Sequence, residues 1–244
     1  MKINVLSCFD GLAGLRIVLD RLGIEVNQYL ASEIDESAIT IAMSNYPDII
    51  QVGDIRNVSK KSLPRITILS GGSPCQNLSA MGNKIGMSME NIDITSLNQY
   101  LKLVYNGFKY KKNNHSYLFW EYARLKKELA PKYFFYENVA SMPSKWIKVI
   151  SKELGVLPMR INSALVSCQN RDRLYWTNIP GSVIPNNRGI LLGSIINDAV
   201  NGYGDRGRDI GLRNPDGTIK WVQMGSLRTD GKCNCLLTSR GGTG

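Results

Sequence analysis

Histidine is nearly missing from this chain of 244 residues: His115 is the only one, and it sits in a Lys/Asn-rich run. A multi-histidine metal centre is therefore excluded, and a Ser-His-Asp triad would have to be built around that one residue. Cysteine is sparse as well. Cys8, Cys75, Cys168, Cys233 and Cys235 are scattered and odd in number, so they read as reduced thiols rather than a disulfide framework. Cys233 and Cys235 have no matching second pair, and no metal is expected. No apolar run reaches the roughly 18 residues a transmembrane helix needs. The opening Met1–Leu6 lacks a signal-peptide layout, so the expected location is the cytoplasm. Acidic residues are also in deficit, 20 against 30 basic ones, for a net charge of +10. With 43% hydrophobic and only 20% charged residues the chain is globular, and its basic excess points to a polyanion such as nucleic acid.

Short apolar runs alternate with amphipathic stretches along the first 80 residues. Ile3–Cys8, Val26–Ser32, Gln51–Gly53 and Ile66–Ser70 read as strands, with helices over Leu12–Leu22 and Glu36–Asn45. That alternation predicts βαβ units, and hence an α/β fold with a doubly wound, mostly parallel sheet. Residues 80–116 break the pattern as a Met-, Asn- and Lys-rich loop with a helical middle at Leu97–Tyr105. Helix Tyr117–Leu129, strand Tyr133–Tyr136, helix Pro143–Leu154 and strands Ile161–Ser167 and Arg173–Ile179 follow. From Pro180 onward Gly, Asn, Asp and Arg dominate, with turn signals at Asn214–Gly217 and Thr229–Gly231. The expected division is a catalytic domain over 1–180 and a partial, irregular β-rich lobe over 181–244.

Chemistry concentrates at the carboxyl ends of the expected strands, the rim where open α/β sheets bind ligands. Phe9-Asp10-Gly11-Leu12-Ala13-Gly14 follows the first strand, and its glycines let backbone approach a ligand or simply make a tight turn. Glu33 ends the second strand, where an acid can accept from a ribose diol; Asp54 ends the third, within reach of an adenine amino group. Either could equally be a helix N-cap. Gly71-Gly72-Ser73-Pro74-Cys75-Gln76 puts a cysteine in a Gly-Ser-Pro turn, an unusual place for a residue that only packs. Glu137-Asn138-Val139 brings a carboxylate to the same rim, suited to proton donation. Gln169, Arg171 and Arg173 alternate, which on a strand points all three to one face.

In this order, Phe9–Gly14, Gly72-Ser73-Pro74-Cys75-Gln76, Glu137-Asn138-Val139 and Gln169-Asn170-Arg171-Asp172-Arg173 resemble the C5-cytosine DNA methyltransferases over roughly residues 1–180. Leu118-Phe119-Trp120-Glu121 resembles that family's intervening helix motif. Phe9-Asp10-Gly11 and Ala31-Ser32-Glu33 are similar to the animal de novo branch, while the compactness of the chain suggests a bacterial or phage source. The resemblance implies a Rossmann-like, S-adenosyl-L-methionine-dependent methyltransferase fold followed by the start of a target-recognition region. It implies cofactor contacts from Phe9, Asp10, Gly11, Leu12, Gly14, Glu33, Ile34, Asp54, Ile55 and Pro74. Catalysis is expected from Cys75, Glu137, Asn138, Arg171 and Arg173, with Ser73, Gln76, Ser79 and Gln169 at the substrate. Cys75 would add to C6 of a flipped cytosine in duplex DNA while Glu137 holds and protonates N3.

The chain departs from the family where a late, Asn-containing cofactor motif would follow. The expectation is a truncated chain, or one half of a split enzyme completed by a second polypeptide, working on the DNA of a bacterial or phage-infected cell, at the nucleoid. Two alternatives stand beside it: cytosine C5 methylation of RNA, and a catalytically silent DNA-binding or regulatory subunit. No membrane partner is expected.

Overall fold

The structure is a computed structural model that describes residues 2–74, 87–88, 92–107, 115–195, 208–213, 219–224 and 232–234. Cys75, Gln76 and Ser79, and the turn signals at 214–217 and 229–231, lie outside the described residues. The strands are β1 (Ile3–Cys8), β2 (Val26–Ser32), β3 (Ile50–Gln51), β4 (Ile68–Gly71), β5 (Tyr133–Val139), β6 (Met159–Asn162), β7 (Gln169–Asn170), β8 (Asp172–Thr177), β9 (Arg208–Arg213), β10 (Ile219–Met224) and β11 (Cys233–Asn234). The helices are α1 (Gly14–Arg21), α2 (Glu36–Asn45), α3 (Leu97–Tyr105), α4 (Phe119–Leu129) and α5 (Ser144–Leu154).

A seven-stranded sheet runs in the order β3-β2-β1-β4-β5-β8-β6. β1 pairs in parallel with β2 and β4, β2 with β3, and β4 with β5. Thr177 Oγ1 donates to the Phe134 carbonyl at 2.7 Å, so the end of β8 lies beside the beginning of β5. This is the mostly parallel, doubly wound α/β sheet expected from the strand–helix alternation. The chain divides into two compact units: Met1–Met159 with Leu174–Val183, and Arg160–Arg173 with Ile184–Gly244.

In the first unit, period-two alternation feeds two apolar layers. Val5, Tyr29 and Ala31 pack with Leu19 of α1 and Ala42 of α2. Leu6, Leu30, Leu69, Phe134 and Tyr136 face the opposite way, with Tyr100 of α3, Phe119, Trp120 and Tyr122 of α4, and Trp146 of α5. The helix ends follow local chemistry. Asp35 caps α2 by accepting from Ala38 N at 3.0 Å, and Ser96 caps α3 by accepting from Gln99 N at 3.2 Å. Gly155, at φ 77°, ends α5.

The second unit is built from short pieces. β7 pairs in parallel with β11, and β9 pairs antiparallel with β10. Lys232 Nζ donates to the carbonyls of Ala164 (2.9 Å), Ser167 (3.1 Å) and Ile190, fastening the residue before β11 to the turn at 163–167 and to the segment at Ile190. The expected strand Ile161–Ser167 is found instead at Met159–Asn162, and it ends there because Asn162 Oδ1 accepts from Ala164 N and bends the chain into a 3-10 turn.

Candidate active site

The loops after β1, β2 and β3 are knitted along one rim of the first unit. Phe9 N donates to Ser32 O at 2.8 Å, Ser32 Oγ to Gly53 O at 2.7 Å, and Val52 N to Ala31 O at 2.9 Å. The first loop carries conformational strain: Phe9 (φ 58°) and Ala13 (φ 60°) are non-glycine residues in the left-handed region. Each costs roughly 1–2 kcal/mol, and such strain concentrates where a loop is shaped for a ligand. Leu12 and Ile34 stand 57% and 67% exposed on this rim.

Asp10 is the most informative group there. Tyr29, itself buried, donates its hydroxyl to Asp10 Oδ1 at 2.6 Å, while Oδ2 is buried with no hydrogen-bond partner. Burial raises the Asp10 pKa above the ordinary carboxylate value; the Ser7 and Tyr29 hydroxyls oppose that rise and Glu33 adds to it. A buried, half-satisfied carboxylate is costly unless a cation completes it. Glu33 Oε2 accepts from Gly11 N at 2.9 Å, and Oε1 from Ile34 N and Asp35 N at 2.7 and 3.0 Å. This carboxylate therefore pins the β1 loop to the end of β2, whereas the cap of α2 is Asp35. Asp54 caps the 3-10 turn Ile55–Asn57, and Arg56 grips both its oxygens, with Nε at 3.0 and 2.9 Å. The Arg56 guanidinium holds Asp54 below the usual carboxylate range. Ile55 is buried, so only its backbone is left for a ligand. Its carbonyl accepts from Arg124 Nη2 at 3.1 Å, as does that of Val58, and Arg124 is paired with buried Glu121.

The second half of the site surrounds the turn after β4. A side chain at Gly71 would strike the Tyr122 ring at 2.8 Å, and a Cβ at Gly72 would lie 3.1 Å from both O and Oε2 of Glu137. The Glu137 carboxylate thus rests against the backbone that leads to Cys75. Asn138 Nδ2 donates to Ser73 O at 3.2 Å, and Ser116 Oγ to Pro74 O at 2.9 Å. Ser73, expected at the substrate, turns its hydroxyl onto Tyr136. The structure therefore brings Ser73, Pro74, Glu137 and Asn138 together, and along the other stretch of rim Phe9, Asp10, Gly11 and Glu33. Cys8, one strand residue before this rim, is buried and pushed to high pKa by that burial, so it stays a protonated packing residue.

Gln169, Arg171 and Arg173 belong to the second unit. The even strand expected there is interrupted at Arg171, whose N–H donates to Asn162 Oδ1 at 3.1 Å and whose carbonyl accepts from Ser163 N at 2.9 Å. Arg173 Nη1 donates to Asp172 O at 2.9 Å, while the Asp172 carboxylate pairs with Arg160. Among the described residues no cluster of three or more His, Cys, Asp or Glu forms a metal site, and no helix is long and apolar enough to cross a membrane. Sequence reasoning passed over Tyr29, Tyr136, Ser116 and Arg124. The available signal was a tyrosine inside a buried strand, whose hydroxyl must find a partner.

A parallel sheet of this order, with its loops gathered on one rim, defines a Rossmann-like α/β protein. A solved structure described as a DNA modification methyltransferase encoded within a prophage (E. coli) shares that fold, with TM-score 0.55 and 19% identity over 88% of this chain and 61% of that one. The family model for C-5 cytosine-specific DNA methylase matches residues 3–179, and the chain belongs to that family. It is 27% identical over 202 residues to the orphan methyltransferase M.Rho11sI of Bacillus phage rho11s, covering 78% of this chain and 35% of that protein. It is 26% identical over 241 residues to the orphan methyltransferase M.SPBetaI of Bacillus phage SPbeta, covering 90% and 54% respectively. The chain thus spans between about a third and about half of the curated relatives' length.

Proposed function

We propose that the chain is the catalytic portion of a DNA cytosine C5-methyltransferase that uses S-adenosyl-L-methionine and acts on a cytosine flipped from duplex DNA. The observation that carries this is the seating of Glu137 against Gly72, three residues before Cys75. A nucleophile carried by a turn and a proton-donating carboxylate set against that same turn are what addition to a pyrimidine requires. C5 of cytosine is a poor nucleophile, so the ring must be activated first. The Cys75 thiolate forms a bond to C6, the displaced electron pair moves through the ring, and Glu137 delivers a proton to N3. S-adenosyl-L-methionine, when bound, supplies the electrophilic methyl group that C5 acquires. A base then takes the C5 proton, the electrons of that bond restore the C5–C6 double bond and expel Cys75, and the N3 proton returns to Glu137. The family resemblance assigns Arg171 and Arg173 to the flipped nucleotide, and Gln76, Ser79 and Gln169 to the base and its neighbours.

The residues on the β1–β3 rim fit the cofactor. Asp10 Oδ2, orphaned and buried, suits its ammonium group; Glu33 suits a ribose diol; exposed Leu12 and Ile34 suit the adenine faces. Asp54 would accept from the adenine amino group while retaining Arg56. Phe9, Gly11, Gly14, Ile55 and Pro74 complete the cradle.

In this reading a second polypeptide contributes to target recognition. We place the activity in the cytoplasm, where bacterial and phage DNA is available. Transfer of labelled methyl groups to duplex DNA, RNA and free nucleotide, with and without that polypeptide, tests the reading. Duplex DNA is expected to take the label, and Cys75→Ser to abolish transfer while sparing cofactor binding. Turnover by the serine variant would exclude the covalent route; RNA labelling alone would move the enzyme to the RNA branch. No labelling with the completing polypeptide present would leave a silent subunit.

A further inference from the structure

We infer that Tyr136 is a positioning residue for the nucleophile turn, acting through the hydroxyl of Ser73. The inference rests on the reading of Cys75 as the nucleophile. Tyr136 lies on β5 immediately before Glu137, and its side chain is wholly buried between the Phe119, Tyr122 and Trp176 rings. A phenylalanine would fill that space without the cost of burying a hydroxyl. The hydroxyl is engaged on two sides. It lies 2.6 Å from Ser73 Oγ, and its oxygen accepts from Asn138 Nδ2 at 3.2 Å. The same Asn138 amide nitrogen donates to the Ser73 carbonyl at 3.2 Å, and Val139 N fixes its Oδ1 at 2.8 Å. Tyr136, Ser73 and Asn138 therefore close a ring of hydrogen bonds away from water, where each is worth more than on the surface. Ser73 is 4% exposed and Asn138 1%.

The ring's target is backbone. Ser73 is held at its hydroxyl and its carbonyl, and the next carbonyl, that of Pro74, accepts from buried Ser116. Proline restricts the intervening φ, so the backbone of Ser73 and Pro74 has little freedom left. Burial pushes the Tyr136 phenol up to about 12, which keeps it a neutral hydroxyl at any working pH. Ser73 thereby becomes a link between β5 and the turn. A residue one position from the general acid thus sets the approach of the nucleophile, and it couples the two halves of the proposed reaction.

Tyr136→Phe and Ser73→Ala test this, singly and together, in the chain supplied with whatever polypeptide its turnover requires. Each is expected to slow covalent trapping on duplex DNA containing 5-fluorocytosine about tenfold, the effect of one buried hydrogen bond on a rate. Affinity for S-adenosyl-homocysteine should stay unchanged, and the double variant should be no slower than the slower single one. The inference is overturned if Tyr136→Phe traps at the wild-type rate or if the two losses multiply. It is equally overturned if the loss merely follows a fall in cofactor affinity or folded fraction. Should the wild-type chain form no adduct at all, the functional reading fails first. Alkylation of Cys75 by iodoacetamide, followed by peptide mass spectrometry, then decides the positioning role alone. A rate altered by Tyr136→Phe sustains it, and equal rates refute it.

Discussion

Replacing Asp10 by Asn should push stability and cofactor binding in opposite directions. In the free protein, Asp10 Oδ1 accepts from Tyr29 at 2.6 Å, and Oδ2 is buried without a partner. Its folded-state pKa lies above the ordinary carboxylate value because burial disfavours the charge. For an acid shifted this way, the native state binds the proton more tightly than the unfolded state. Asp10 therefore costs stability at neutral pH, and that cost disappears as pH falls through the raised value. Asparagine keeps the acceptor for Tyr29 and removes the charge, so Tm without ligand should hold or rise. Binding should weaken, because a hydrogen bond to a charged group contributes about 1.5–3 kcal/mol, a factor of roughly 10–100 in Kd. At a ligand concentration of about 100 times the wild-type Kd, wild type gains about 2.7 kcal/mol of stability and the variant only about 0.4–1.4. Calorimetric titration with S-adenosyl-homocysteine at pH 7.5, paired with thermal unfolding, reads both quantities. Affinity within twofold of wild type would refute the assignment of Oδ2 as the ammonium acceptor.

The same carboxylate predicts a pH dependence: wild-type cofactor affinity should fall, by up to about tenfold per pH unit, once pH drops below the raised Asp10 value, and Asp10→Asn should flatten the profile. Gly71→Ala places a methyl 2.8 Å from the Tyr122 ring and 3.2 Å from Cys8 Cβ. Urea unfolding should show a loss of about 1–3 kcal/mol, as for other overpacked cores. Arg124→Met leaves the buried Glu121 carboxylate with the Tyr100 hydroxyl but without its cation, and frees the carbonyls of Ile55 and Val58, so a loss of about 3–5 kcal/mol is expected. The double variant with Glu121→Gln should recover part of it, and no recovery would show that the backbone clamp carries the effect.

Much of the first unit was legible in the order of its residues. β1, β2, α2 and α3 have the bounds read from the sequence pattern, because each rests on local causes: alternation in the strands, and at the helix starts the caps Asp35 and Ser96 that the structure adds. Misreadings fell where a side chain interrupted a backbone ladder, as Asn162 does at the end of β6 and again at Arg171. β5 also runs on through Glu137 and Asn138, so these residues are strand members rather than loop residues. The apolar signal faded there, and the pairing with β4 itself ends at Tyr136.

By itself, the sequence determined the parallel α/β class, the rim on which its polar residues collect, and the family, since ordered motifs and periodicity are properties of one chain read along its length. Only the tertiary structure decided which partners those residues keep. It turned Ser73 toward Tyr136, closed Arg56 onto Asp54, tied Glu33 to Gly11 and left one oxygen of Asp10 unpaired. Hydrogen bonds such as that between Ser73 and Tyr136 join residues 63 positions apart. No local pattern encodes such a distance; packing two strands of one sheet side by side does.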